Sequence, residues 1–433
     1  MSDAKKRFLQ KVTHHIRSKE AKQYVEKELT YHIEEQKSYL TSQGYSDEKA
    51  ELMAVNQMGD PGSIGREMHK IHKPKMDWVL AGLFALVLAA GIITFYYLTP
   101  NYAATNMYFL VRRVDAALLS VLVIIIFMLI DYRKLEKWWP LLSALGLFLS
   151  VWMLQSDYYI GGAAYLRIGS FTLSIWPISL LFIFSYAAML SSLKGKRLWI
   201  MATAMLWVPL VIFQAIPQLP LTLFYFLTAM TITAFAPLPK RAIKQFIITN
   251  TTVIMFFTTI AVTLGQGMRM RLSAFINPEA DLNGAGYIPS LLRQITSQAA
   301  WVGQGPSTEV TTNLPEWHTD LILASIIGQL GWVPAFTIIF ILSLFMSRMI
   351  ITIKKSRHPL GNMIIVSGVS MVGFSVIWNI AMVLGWVPVI GVSLPFISYA
   401  FGYQLIYSVF IGMILSVYRR KDLVQPEAIE KPS

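Results

Sequence analysis

Residues 78–98 read WVLAGLFALVLAAGIITFYYL, an unbroken stretch without a charged side chain. A helix of about 20 apolar residues reaches across the roughly 30 Å hydrocarbon core of a bilayer. This stretch therefore predicts a membrane-spanning helix. Nine further apolar stretches follow, at about 114–131, 138–155, 172–191, 198–216, 218–237, 245–265, 320–346, 360–385 and 395–417. The composition of the whole chain agrees. Of its 433 residues 55% are hydrophobic and 14% charged, against about 25% charged in soluble domains. The expected fold class is all-α: a polytopic membrane bundle of about ten transmembrane helices, preceded by a small soluble helical domain.

Charge orients the bundle. The chain carries 37 Lys+Arg against 24 Asp+Glu, a formal +13. Arg133, Lys134 and Lys137, then Lys194, Lys196 and Arg197, then Lys240, Arg241 and Lys244 fall in alternate loops. So do Arg348, Lys354, Lys355 and Arg357, then Arg419, Arg420 and Lys421. Cation-rich loops stay in the cytoplasm, which puts both termini inside and requires an even number of spans. The positive balance thus reports topology, and no nucleic-acid partner is expected. With no cysteine, disulfides, thiol nucleophiles and Cys-ligated metals are excluded.

Residues 1–76 differ from the rest. They hold 14 Lys+Arg, 11 Asp+Glu and five of the seven His, with no apolar run long enough to span and no signal peptide. Val25, Leu29, Ile33 and Leu40 recur at helical spacing. Gly44-Tyr45-Ser46-Asp47 ends one helix and starts another, with Ser46 as N-cap; Gly59-Asp60-Pro61 repeats the device. The expectation is a cytoplasmic domain of three or four short helices over 1–76. His14, His15 and His32 lack ligand-like spacing and read as surface histidines. A membrane domain over 77–421 and a cytoplasmic tail over 422–433 complete the organisation.

The acids concentrate in one place. Glu279, Asp281, Glu309, Glu316 and Asp320 all fall in the segment of about 266–320, the one long loop, which the charge pattern places outside. Arg269, Arg271 and Arg293 lie beside them. Ionisable groups at a membrane boundary are candidate sites. Plainer roles stand beside that one. Thr319 or Asp320 can N-cap the eighth span, Glu316 can be an exposed loop carboxylate, and His318 can orient the loop. Asn277-Pro278 and Gly286-Tyr287 are turn chemistry. Pro388, Gly391 and Pro395 break the backbone between the last two spans. Such breaks are tolerated where they line a cavity, which leaves Ser398 and Tyr399 open to substrate contact.

Three ordered motifs carry a family resemblance. Arg271 to Tyr287 (RLSAFINPEADLNGAGY), Leu314 to Asp320 (LPEWHTD) and Asn379 to Tyr399 (NIAMVLGWVPVIGVSLPFISY) resemble the loop after the seventh span, the LPExHTD signature and the C-terminal run of the FtsW/RodA/SpoVE (SEDS) family. Gly44, Tyr45, Ser46, Glu48, Ala50 and Met58 to Pro61 resemble, more loosely, a helical permease-prefix domain. The SEDS resemblance implies a peptidoglycan glycosyltransferase of the bacterial cytoplasmic membrane, serving cell-wall growth, division or sporulation. It would polymerise lipid II at the outer face onto undecaprenyl-pyrophosphate-linked glycan, among membrane lipid and beside a class B penicillin-binding protein. The family's essential HTD aspartate maps to Asp320.

That chemistry suits these residue types. A base must take the sugar hydroxyl's proton, and a carboxylate at a low-dielectric mouth can have its pKa raised for the task. Asp320 is the expected base. Arg271, Arg293 and Arg269 are the cations available to the departing pyrophosphate. Glu316, His318, Ser398 and Tyr399 are further substrate-contact candidates. A divalent cation could share the charge, but no metal site is visible. The chain departs from the family's fourth-span QPSExxK element, having Trp176-Pro177-Ile178-Ser179 there and no Glu or Lys between Gly169 and Leu193. That departure keeps two alternatives open: a non-catalytic scaffold that regulates a cell-wall synthase, and a transporter of lipid-linked precursor.

Overall fold

A computed structural model describes residues 3–17, 19–98, 103–160, 163–169, 171–305, 310–311, 314–356 and 358–422. Glu309, Arg357 and the tail past Asp422, with Glu427 and Glu430, lie outside the described residues. The chain divides into two compact units, one comprising the residues up to Asp77 together with those from Tyr418 onward, the other Trp78–Val417.

The first unit holds four helices, α1 (Asp3–His14), α2 (Lys19–Ser42), α3 (Asp47–Gln57) and α4 (Pro61–His72). Apolar side chains at helical spacing meet in one core that includes Leu9, Val12, Val25, Leu29, Ile33 and Ala50. At the start of α4, Asp60 accepts the Ser63 backbone N–H at 2.8 Å and Pro61 takes the first helical position. Ser46 occupies the N-cap position of α3 but its side chain makes no capping bond. Lys5, buried at its stem, donates to Glu34 at 2.7 Å.

The second unit is a multi-pass membrane bundle. Among the described residues, eight of its helices are long and apolar enough to cross a bilayer. They include α5 (Trp78–Leu98), α7 (Leu135–Leu154, entered through a 3-10 turn at Tyr132–Lys134), α8 (Ile175–Ser192), α9 (Gly195–Ala215) and α11 (Lys240–Leu264). The remaining expected spans deviate for physical reasons. Helix α6 (Ala103–Leu129) has the length but carries Arg112, Arg113 and Asp115 in its first half. It starts eleven residues before the expected 114, so Arg113 lies within a bundle helix. Helix α10 (Leu219–Ala234) has only 16 residues. Many side chains on α11, among them Met255, Phe256 and Phe257, are exposed and apolar, as a lipid-facing helix requires.

The long loop is structured. It contains α12 (Gln266–Ile276), a 3-10 turn at Pro278–Asp281 and α13 (Tyr287–Gln298). Asp281 fastens that turn by accepting the Ala285 N–H at 3.0 Å. The expected span over 320–346 is two helices, α14 (Ile322–Leu330) and α15 (Trp332–Ile353). Gly331 separates them with φ +97°, and a Cβ there would lie 2.7 Å from the Trp301 carbonyl oxygen. Only glycine accepts that conformation and that approach. After α16 (Pro359–Val383), residues 384–400 are non-helical, and α17 (Phe401–Arg419) begins later than the expected 395. Within this break Phe396 has φ +62°. Two small antiparallel hairpins, Tyr159–Ile160 with Ala163–Ala164 and Leu166–Ile168 with Phe171–Leu173, connect α7 to α8. An all-α reading had no place for them.

Candidate active site

The broken segment and the acidic loop meet. Asn379 on α16, itself fully buried, donates from Nδ2 to the Asp320 carbonyl at 2.8 Å and to the Val392 carbonyl at 2.6 Å. The Tyr399 backbone N–H donates to the His318 carbonyl at 2.8 Å. Ser398 Oγ accepts the Leu394 N–H at 2.7 Å. Arg113, 2% exposed, reaches in from α6 and donates from Nη1 to the Ser398 carbonyl and to Gln404 Oε1, each at 2.7 Å. Its other terminal nitrogen, Nη2, is buried without a hydrogen-bond partner among the described residues. These bonds satisfy backbone that no helix ladder satisfies, which a membrane bundle demands.

Asp320 sits at the wall of a cavity of about 990 Å³. Its carboxylate is half-buried and neighbours Gly391; a Cβ there would lie 3.2 Å from Oδ2. The capping role is not what the structure shows. Leu321 occupies the N-cap position of α14 and no side chain caps it. Thr319 Oγ1 instead donates to the Glu316 carboxylate, and Glu316, at φ +50°, takes the Thr319 and Leu321 N–H groups on its carbonyl. Burial pushes the Asp320 carboxyl up to about 6, and the Glu316 charge adds to the shift. Asp320 precedes α14 and lies outside the spanning segments. Burial lowers the His318 pKa, with Glu316 opposing, so the imidazole is held neutral near pH 7.

The cavity collects some of the expected residues and not others. Arg271 on α12, Glu316, Asp320 and Tyr399 line it. Arg271 makes no ion pair among the described residues. Arg269, Arg293, His318 and Ser398 are not among the lining residues. His318 belongs to an aromatic cluster with Phe109, Trp317 and Tyr399, ring centroids 5.2–5.9 Å apart. This agrees with a loop-orienting histidine. Ser398 Oγ accepts the Leu394 N–H and its carbonyl the Arg113 guanidinium. Glu279 and Asp281 stay on the loop surface, away from the cavity. Glu316 and Asp320 are the carboxylates among the described residues that line the cavity.

Several lining residues lie outside the three family motifs, Trp176 among them in the altered fourth-span element. Trp176 at the start of α8, Gln214 near the end of α9, and Gln218 just before α10 belong to the wall, with Tyr403 of α17. Arg113 was silent in the sequence, because the span was read as starting after it. An arginine inside an apolar helix was the signal that could have found it. A second cavity, about 510 Å³, lies between α5 and α15 and is lined almost wholly by apolar side chains such as Ala90, Ile93 and Val333.

A family profile described as a cell cycle protein, FtsW/RodA/SpoVE, matches residues 76–423. A probable peptidoglycan glycosyltransferase FtsW of Trichlorobacter lovleyi is 27% identical over 361 residues, covering 79% of this chain and 92% of that protein. Stage V sporulation protein E of Bacillus subtilis is 24% identical over 362 residues, 80% of this chain and 98% of the other. Among solved structures, a chain of a peptidoglycan synthase complex that coordinates polymerisation and crosslinking superposes with TM-score 0.67 at 20% identity, over 80% of this chain and 98% of that one. The rod shape determining protein RodA of Thermus thermophilus superposes with TM-score 0.58 at 17% identity, over 80% and 97%.

Proposed function

This chain belongs to the FtsW/RodA/SpoVE family of cell cycle proteins, and from that membership we propose that it is a peptidoglycan glycosyltransferase that polymerises lipid II. The observation that carries the catalytic assignment is the Asp320 carboxyl: half-buried, bound to no helix terminus, raised to about 6, and open to a large cavity beside Arg271. Ionised at neutral pH, it takes the proton of the acceptor sugar hydroxyl as that oxygen attacks the anomeric carbon of the donor. The bond from that carbon to the pyrophosphate oxygen breaks, and Arg271 stabilises the charge on undecaprenyl pyrophosphate. Asn379 fixes the Asp320 backbone, and Tyr399 and Glu316 complete the wall. No step is assigned to a metal.

The cation-rich loops support a cytoplasmic-membrane protein with both termini inside and the Asp320 cavity toward the outer face. A class B penicillin-binding protein is the proposed partner, in line with the synthase complex whose chain shares this fold. The uncharged α8 wall favours a second reading, a scaffold that has kept the fold without turnover.

The test is incubation of the purified protein, alone and with class B penicillin-binding proteins, with labelled lipid II. Glycan made by the parent falls about 10²–10⁴-fold in Asp320→Asn, the range of a lost general base. No glycan from any combination, with Asp320→Asn cells growing normally, leaves the scaffold.

A further inference from the structure

The cavity's charges are unevenly placed. Arg271, Glu316 and Asp320 all come from α12 and the loop before α14, while the lining from α8, the α9–α10 turn and α17 bears no charged side chain. Along this neutral wall, the side-chain amide of Gln218 is held in a defined orientation, with Gln214 beside it. The Trp176 indole N–H is a donor only, so the atom it meets at 3.2 Å must be the Gln218 carbonyl oxygen. Tyr403 packs on the Trp176 ring at 4.3 Å between centroids and keeps it in place. Thr222 Oγ1 donates to the Gln218 backbone carbonyl at 3.0 Å, and the Gln214 side chain lies 3.4 Å from the same hydroxyl. The Gln218 backbone N–H is tied to the Phe213 carbonyl at 2.9 Å. With its side-chain oxygen engaged by Trp176, the Gln218 amide NH₂ is left as a cavity donor without a protein partner among the described residues.

We propose that Gln218 and Gln214 form a sugar-binding subsite that donates to the hydroxyl and acetamido oxygens of the lipid-linked disaccharide, with Trp176 as the positioning residue for Gln218. This rests on the function proposed above. Neutral donors fit the uncharged sugars of the substrate, and the pyrophosphate goes to Arg271 on the charged side. A site built to hydrogen-bond substrate oxygens discriminates strongly against ligands that leave its donors unpaired.

The decisive variant is Gln218→Glu. It keeps the size of the side chain and an oxygen for the Trp176 N–H, but it replaces the NH₂ donors with a negatively charged carboxylate, so the uncharged Gln218→Met, which also lacks those donors, is measured beside it. Binding of fluorescent lipid II to the full chain in nanodiscs is measured for the parent, Gln218→Glu, Gln218→Met, Gln214→Leu and Trp176→Phe. Each is competed with free N-acetylglucosaminyl-N-acetylmuramic acid or with inorganic pyrophosphate. Gln218→Glu weakens lipid II about tenfold, the scale of one or two lost hydrogen bonds. In Gln218→Met competition by free disaccharide falls and competition by pyrophosphate is unchanged. Trp176→Phe weakens binding by a smaller factor, because the amide is present but free to turn. Parent-like disaccharide competition in Gln218→Met and Gln214→Leu overturns the subsite, as does a loss confined to pyrophosphate. Polymer assays separate the two readings. A parent that makes glycan, with Gln218→Glu unchanged in KM, sinks the subsite alone. A parent that makes none, yet binds disaccharide through Gln218, sinks the polymerase alone.

Discussion

The Asp320 carboxyl is unusual because it is half-buried yet caps no helix. A carboxyl whose proton affinity is higher in the folded chain than in the unfolded one contributes its stability at low pH. That contribution is lost as pH rises through about 6. Asp320→Asn is therefore expected to leave thermal stability at neutral pH undiminished while polymerisation collapses. Differential scanning fluorimetry beside the glycan assay checks the pair, and a falling Tm would mean a structural role. The same carboxyl sets a pH dependence. Activity should climb as pH passes through about 6, where Asp320 loses its proton and becomes a base. Glu316 helps hold that proton on, so Glu316→Gln should move the acidic limb of the rate profile to lower pH. An unmoved limb would separate the profile from Asp320.

Helices place these residues only because some of them stop. The α14–α15 junction depends on Gly331, whose φ of +97° and close approach to Trp301 exclude a side chain. Gly331→Ala should cost about 1–3 kcal/mol, read as a lower midpoint in detergent unfolding; an unchanged midpoint would show that the junction yields freely. The 384–400 break depends on Arg113. Removing its two charge-assisted bonds to the Ser398 carbonyl and Gln404 orphans both acceptors. Arg113→Met is expected to cost about 2–3 kcal/mol and to lower kcat, because Tyr399 and Gly391 ride on that segment. A variant as stable and active as the parent would show the segment to be held elsewhere.

For the whole molecule the testable property is its orientation. The chain contains no cysteine, so single-cysteine variants report accessibility without background. Glu279→Cys should react with a membrane-impermeant maleimide on intact cells, and Lys196→Cys only after permeabilisation. The reverse pattern would invert the bundle and put the Asp320 cavity on the cytoplasmic side, away from the growing wall. The exposed apolar faces of α11 and of α5 give the bundle its lipid contact, so the experiment belongs in membranes rather than in detergent.

How much of this was legible in the sequence depended on the range of the interaction. Hydropathy acts residue by residue, so uncharged runs such as 78–98 declared membrane helices, and the ordered motifs declared the family. The HTD aspartate was visible for the same reason. Local chemistry also showed that Pro388, Gly391 and Pro395 would break the chain. What the break touches was not local. Asn379 reaches Asp320 across 59 positions and Arg113 reaches Ser398 across 285. Trp176 finds Gln218 across 42. No periodicity encodes such pairings, because they arise when helices of opposite direction pack. The sequence alone determined a membrane bundle with one acid-rich loop. Only the tertiary structure decided which of those acids faces a cavity, and that its other wall carries an oriented amide, because burial and hydrogen-bond partners exist only once distant helices meet.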